Sequence, residues 1–284
     1  MLGVPNAGKS TLVNLFCGRK VAGVSPRPQT TRRRILGVRT EPGCQMVFVD
    51  TPGYCQATNR MGIRMREGAV EAARESDVVL YVVDAGAPES GDAMRELLAQ
   101  SRAPKLLALN KIDLLPKPAL LPLLGRFNAM EKFEELVPVS ALDADGTSLL
   151  LDLFRCRLPE GPALFDETSA GGGPADRAVV QEVIQEKLFS RVHQEVPYAC
   201  AVLVDEMERE GNLLRVSATI IAERESHKPI VIGAGGSMLK AIGTEARREL
   251  EEILGCRVFL KLWVKVEKDW RDRGSVLTDL GYGD

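Results

Sequence analysis

The sequence has no Cys-x-x-Cys pair and no histidine cluster, although it contains six cysteines, Cys17, Cys44, Cys55, Cys156, Cys200 and Cys256. Scattered in this way, they argue against a zinc site and against a disulfide framework, and suit a reducing cytosol. No apolar run approaches the roughly 18 residues that a membrane span needs. No charged stretch followed by an apolar one opens the chain, so no signal peptide is expected. A cytoplasmic protein is the expectation. Charge of one sign is also missing: the net charge of −2 names no partner. What remains is ordinary soluble composition, 45% hydrophobic and 27% charged. Its 284 residues leave room for two domains.

Residues 1–158 alternate strand-like and helix-like stretches. Gln45–Val49, Val78–Val83, Lys105–Leu109 and Leu136–Val139 are short apolar runs, each followed by a turn rich in Gly, Pro, Asp or Asn. Runs of this kind read as parallel strands buried on both faces, with helices packed between them. An α/β nucleotide-binding layout follows. Residues 159–176 break the pattern with three consecutive glycines flanked by Ser, Ala and Pro, a composition that reads as a linker. Residues 177–284 then carry a helical run, two strand-like runs joined by Gly211-Asn212, a glycine cluster, a second helical run and a last alternating strand, Val258–Val266. They make a compact α+β unit.

Gly3-Val4-Pro5-Asn6-Ala7-Gly8-Lys9-Ser10 matches G-x-x-x-x-G-K-[ST], with Thr11 continuing the set. Glycines let such a loop wrap phosphate oxygens with inward N–H groups, and the following helix adds its positive N-terminus. Lys9 would reach the β- and γ-phosphates, and the Ser10 hydroxyl would ligate Mg²⁺. Alone, the pattern could still be a glycine turn before a helix. Asp50-Thr51-Pro52-Gly53 follows at a strand end, where the aspartate can hold Mg²⁺ through water and the Gly53 N–H can meet the γ-phosphate. Asn110-Lys111-Ile112-Asp113 follows the next strand but one. The Asp113 carboxylate can accept from guanine N1–H and N2–H₂, donors that adenine lacks, so it would discriminate against ATP. Asn110 and Lys111 would brace the loop and cover the base, and Ser140-Ala141 fits the turn whose N–H meets guanine O6. Four motifs in this order, each at a strand end, point to a GTP site.

The first switch must lie between the first helix and Asp50. Ser25–Arg34 is a Pro-rich polar loop with two threonines, of which Thr31 is favoured over Thr30 to close over Mg²⁺. Arg32, Arg33 and Arg34 could touch phosphate or RNA, but a solvated charge run is the favoured reading. Lys9, Thr31 and Gly53 are the candidate catalytic groups. Tyr54 stands where many such proteins place a water-orienting Gln, so intrinsic hydrolysis should be slow.

In the second unit Gly233-Ala234-Gly235-Gly236 lies between two helical runs. Helix–GxxG–helix is the pattern that lets backbone approach a nucleic-acid strand in KH domains. A dinucleotide fingerprint would need a glycine at Met238, and no βαβ continuation follows; a plain turn is the other reading. Residues 176–284 hold 16 basic and 19 acidic residues, so RNA binding would need a local patch. Lys228, Lys240, Arg247 and Arg248 supply one around the loop, against Glu245.

Taken together, GVPNAGKS, PQTTR, DTPG, NKID and SA, then VIGxxGxxxKxIGxxAR and LxLWVKV, resemble the Era family of ribosome-assembly GTPases along nearly the whole chain. The resemblance implies a Ras-like GTPase domain with a mostly parallel sheet over 1–158, a linker over 159–176 and a type II KH domain over 177–284. It implies GTP or GDP with Mg²⁺, and binding near the 3′ end of small-subunit ribosomal RNA in maturation of the small subunit. It further implies peripheral contact with the inner face of the cell membrane, action as a monomer, and an RNA-binding role for the C-terminal WRDRGSVLTDLGY. Two features depart from the family. The loop has Ala234 and Gly235 where the family usually carries a Lys. Only Met1-Leu2 stand before Gly3 where a central strand belongs, so the first half is expected to be disordered or aggregating. An RNA-coupled GTPase leads; a nucleotide-responsive RNA-binding protein with negligible turnover is the alternative. A P-loop small-molecule kinase is disfavoured by NKID and by the lack of an acceptor lid.

Overall fold

Uninterrupted apolar runs become the central strands because they can be buried on both faces. The computed structural model describes residues 1–54, 58–87, 91–165 and 174–282. Its first half runs α1 (Lys9–Cys17), β1 (Ile35–Glu41), β2 (Cys44–Asp50), α2 (Arg60–Glu75), β3 (Val79–Asp84), α3 (Asp92–Leu98), β4 (Lys105–Asn110), α4 (Leu120–Met130), β5 (Glu135–Pro138) and α5 (Thr147–Arg155). Strands β3, β4 and β5 form a parallel sheet in that order. The run expected as a parallel strand at Gln45–Val49 is instead one arm of an antiparallel hairpin, paired with β1 from Ile35↔Asp50 to Glu41↔Cys44. Its partner Ile-Leu-Gly-Val-Arg-Thr-Glu is only intermittently buried, so it carries no continuous apolar run to read.

The gap between the two sheets falls where a strand before Gly3 is expected. Met1 and Leu2 occupy it: the Met1 ammonium donates to Val49 O of β2 at 2.6 Å, while Leu2 N–H donates to Leu80 O at 2.9 Å and its carbonyl accepts from Val82 N at 2.9 Å, one parallel bridge beside Tyr81. The described residues nevertheless pack on both sides of this split, against the expectation of a disordered half. Leu12, Phe16, Phe48 and Phe154 close one core, with Phe16 stacked 5.1 Å from Phe48. Ala69, Tyr81, Leu97 and Phe127 close the other.

The second half runs α6 (Pro174–Arg191), β6 (Cys200–Glu210), β7 (Leu213–Ala222), α7 (His227–Ile232), α8 (Ser237–Leu254), β8 (Arg257–Val266) and α9 (Gly274–Asp279). Proline at the first turn of α6 costs no hydrogen bond, because that N–H has no helical partner anyway. Residues 166–173 of the expected linker lie outside the described residues, and its last three open α6. Strands β6 and β7 pair antiparallel and β7 and β8 parallel, and one face is packed under α6 and α8 through Val180, Ile184, Ile242 and Leu250. This is the α+β arrangement expected of a KH unit.

The two halves share a third packed region. Met61 and Met65 of α2 meet Ala201 and Ile221 of the second sheet, together with Trp270, Leu277, Leu280 and Tyr282. The C-terminal segment is therefore a strap across the halves, with Trp270 fully buried and its indole N–H donated to Ala199 O at 3.0 Å.

Candidate nucleotide and RNA sites

Gly8 precedes α1 with φ +97°, a left-handed conformation that favours glycine. A Cβ there would also overlap the Asn110 amide. The loop so formed bends back on its own lysine: Lys9 Nζ donates to Gly3 O at 3.1 Å and Val4 O at 2.9 Å. Around it opens a cleft of ≈ 360 Å³, lined among others by Pro5, Lys9, Ser10, Thr31, Gly53 and Lys111. Gly53 closes its wall, since a Cβ there would lie 2.5 Å from Pro5 Cα.

The three expected metal ligands meet at one point. Ser10 Oγ donates to Asp50 Oδ2 at 2.6 Å and lies 2.8 Å from Thr31 Oγ1. Thr30 turns away, its hydroxyl donating to Arg27 O at 3.0 Å. Asp50 is fully buried, and its Oδ1 has no hydrogen-bond partner among the described residues. Burial raises its pKa above the ordinary carboxylate range, although the nearby Lys9 and the Ser10 hydrogen bond oppose this. An orphaned carboxylate oxygen beside two hydroxyls is a hard, all-oxygen donor set, and it fits Mg²⁺.

The base side is braced by Asn110. Its Nδ2 donates to Ala7 O at 2.8 Å, and its Oδ1 accepts from Ala141 N at 3.0 Å, tying the phosphate loop to the Ser140-Ala141 turn. Ser140 Oγ donates to Asp113 Oδ1 at 2.7 Å, which aims that carboxylate. Asp113, Ser140 and Asp143 line a second cleft beside the first. Lys111 has φ +65° and pairs with Asp84 at 2.5 Å. Asp84 went unread in the sequence, although it ends β3 just as Asp50 ends β2. Tyr54 is not among the residues lining the cleft. Arg66 covers its ring at 5.2 Å, and burial together with a hydrogen bond to Glu96 pushes its hydroxyl up to about 12.

Of the arginines after Thr31, Arg32 and Arg33 are turned inward and Arg34 is exposed as expected of a solvated run. Arg32 is 3% exposed, donates Nη1 to Cys200 O at 2.6 Å and Nη2 to Pro197 O at 3.1 Å, and lies 5.0 Å over the Phe189 ring. Arg33 pairs with Glu182 of α6 at 2.9 Å, and Arg34 with Glu71 and Glu75 of α2. Upstream, Lys20 pairs with Glu186 and Glu249, and Val24 N donates to Glu186 Oε2 at 2.9 Å. Arginine in a buried fork, not in water, is the physical reason the expectation failed: five planar donors suit unpaired carbonyls.

The glycine loop stands at the head of α8. Gly233, Gly235 and Gly236 have φ of +75°, +59° and +82°. A Cβ at Gly233 would come within 2.7 Å of Met238 N, whereas Gly235 and Gly236 face open space. Ala234, Gly235 and Lys240 are exposed and Lys228 is half-buried. Arg247 lies seven residues beyond Lys240, about 10 Å along the helix, and pairs with Glu251 at 2.7 Å. Glu245 is held by Arg191.

Protein-family comparisons match residues 1–111 to "50S ribosome-binding GTPase" and residues 195–271 to "KH domain". The chain is 46% identical over 285 residues to GTPase Era of Geotalea uraniireducens, covering 99% of this chain and 96% of that protein. It is 44% identical over 286 residues to GTPase Era of Geobacter metallireducens. Among solved structures it superposes with TM-score 0.92 and 38% identity on Era in complex with MgGDPNP and nucleotides 1506–1542 of 16S ribosomal RNA, covering 100% and 97% of the two chains. A variant of Aquifex aeolicus Era bound to GDP·AlF4⁻ matches with TM-score 0.92 at 37% identity over the same shares.

Proposed function

This chain belongs to the Era family of GTPases, and from that membership and the geometry of its two sites we propose that it is a GTP-hydrolysing switch that binds small-subunit ribosomal RNA during maturation of the small subunit. The observation that carries this reading is the adjacency of Thr31 and Arg32. Thr31 belongs to the metal cluster beside Ser10 and Asp50, and Arg32 is anchored on the carbonyls of the RNA-binding half.

Gly3 to Thr11 would cradle the phosphates, with Lys9 leaving its two carbonyls for β- and γ-phosphate oxygens. Ser10 and Thr31 would ligate Mg²⁺ and Asp50 would hold it through water; Mg²⁺ there neutralises the charge that develops on the phosphates. Thr51 and Pro52 carry the chain to Gly53, whose N–H would meet the γ-phosphate. Asn110 holds loop and base turn together, Lys111 covers the base, and Asp113 reads guanine with Ala141. The Tyr54 ring is held between Arg66 and Glu96, so position 54 itself presents no amide to orient the attacking water, and intrinsic turnover should be slow. On the RNA side Gly233, Ala234, Gly235 and Gly236 present bare backbone, with Lys228, Lys240 and Arg247 as the nearby charges. The RNA region is the one present in the Era complex, nucleotides 1506–1542 of 16S ribosomal RNA.

Single-turnover hydrolysis with and without an RNA of that region tests the reading. Turnover that rises with RNA supports an RNA-coupled GTPase. Tight GTP binding with no turnover in either state would leave a nucleotide-responsive RNA-binding protein in its place.

A further inference from the structure

The second sheet buries one face under its helices and leaves the other in water along β8. The outward row of that strand is Arg257, Phe259, Lys261, Trp263 and Lys265, alternating with Val258, Leu260, Leu262 and Val264 against the core. Phe259 is 47% and Trp263 58% exposed, two large rings that folding does not cover. Each ring already carries a cation. The Arg215 guanidinium, directly opposite in register on β7, lies 5.7 Å from the Phe259 centroid, and the Lys261 ammonium lies 6.0 Å from that of Trp263. The acidic residues of the same face, Asp205, Glu206, Glu208 and Glu210, belong to β6 on the opposite edge, with Asp205 accepting from the Thr219 hydroxyl at 2.8 Å on β7. Two ion pairs touch the basic side, Arg215 with Glu210 and Lys265 with Glu267.

We propose that this outward face of β8 is a second binding site for single-stranded RNA, which rests on the RNA-binding reading of the chain. Bases stack on Phe259 and Trp263, and Arg257, Lys261 and Lys265 neutralise the phosphates between them. Rings interleaved with cations are what a sequence-tolerant single-strand platform needs. Lysine, by contrast, is depleted at protein–protein interfaces. The spacing suits a nucleic acid as well. Four residues of strand separate the rings by about 13 Å, the length of roughly four stacked nucleotides. The site is also reachable from the glycine loop. Gly243, about 10 Å along α8 from Gly236, packs on Leu262, and β8 is an edge strand. A strand leaving the loop can pass over that edge onto the outer face.

The chain has two tryptophans, and Trp270 is buried, so an RNA that stacks on this face must quench Trp263. Titration of the full chain with a 16-nucleotide single-stranded RNA of the 16S 3′ region should show that quenching. Phe259→Ala with Trp263→Ala should weaken this RNA at least about tenfold, from stacking on two rings. GTP affinity and the emission of Trp270 should stay unchanged, and Trp263→Phe should retain affinity. Gly236→Asp serves as the parallel variant at the loop. If it weakens binding while the double variant binds like wild type, the second site is overturned and the RNA reading stands. If neither variant matters, both fall. If the double variant keeps RNA but loses the small ribosomal subunit, the face docks protein and the proposal is overturned.

Discussion

Removing the Arg32 side chain should uncouple the nucleotide from the RNA-binding half while leaving both sites able to bind. Its guanidinium makes two hydrogen bonds to carbonyls of the other half, at 2.6 and 3.1 Å, and covers the Phe189 ring at 5.0 Å. Hydrogen bonds from a charged donor contribute about 1.5–3 kcal/mol each. Burying the guanidinium costs several kcal/mol that the variant no longer bears. The net loss for Arg32→Ala is therefore about 2–3 kcal/mol, comparable to a typical coupling free energy of about 1–3 kcal/mol between two sites. Arg32→Lys should recover little of it, since an ammonium cannot fork between two carbonyls. The assay is RNA affinity measured with a non-hydrolysable GTP analogue and again with GDP. In wild type the two affinities should differ; in Arg32→Ala their ratio should fall toward one. Linkage demands that the effect of RNA on nucleotide affinity shrink by the same factor. A wild-type ratio in Arg32→Ala would refute the role given to this residue.

Asp113→Asn should weaken GTP by about 100-fold, two mispaired donors at about 1–3 kcal/mol each, and shift preference toward XTP; equal GTP affinity by fluorescent-nucleotide titration would remove Asp113 from the base site. Gly236→Asp should abolish RNA binding with GTP affinity intact. Because φ is +82° and space is open there, Gly236→Asn, which tolerates this conformation, should retain most binding and so separate charge from strain. The first half, whose two sheets share no strand pairing among the described residues, should melt before the second in calorimetry. GTP with Mg²⁺ should raise only the earlier transition; one cooperative transition insensitive to nucleotide would contradict that order.

The motifs at strand ends were legible because chemistry fixes both residue type and position. Lys9, Ser10, Asp50, Asn110 and Asp113 each need a particular functional group, and each follows an apolar run or a glycine turn. Thr30 and Thr31 look alike in the sequence, and the hydroxyl contacts are what place Thr31 beside Ser10. Strand β1 was illegible, since a hairpin arm that buries only alternate residues shows no run. Hydrophobic pattern specifies burial and says little about partners. The role of Arg32 and Arg33 was misread for that reason. A cluster of arginines looks the same in a sequence whether it faces water or the carbonyls of another unit.

That misreading bears on how the switch works. A segment that only closed over Mg²⁺ would need its threonine and a flexible polar approach. Here the ten residues from Ser25 to Arg34 are anchored at both ends on the second half, by Val24 and Arg27 before and by Arg32 and Arg33 after. Pro26, Pro28 and the left-handed Gln29 stiffen the span between. A shift of Thr31 on gain or loss of the γ-phosphate therefore cannot be absorbed locally. It must either break charged hydrogen bonds at Arg32 and Arg33 or move α6 and the turn at Pro197 with it. Because breaking buried charged pairs is the costlier of the two, motion of the RNA-binding half is the expected response to a change of nucleotide, and the Arg32→Ala affinity ratio tests it.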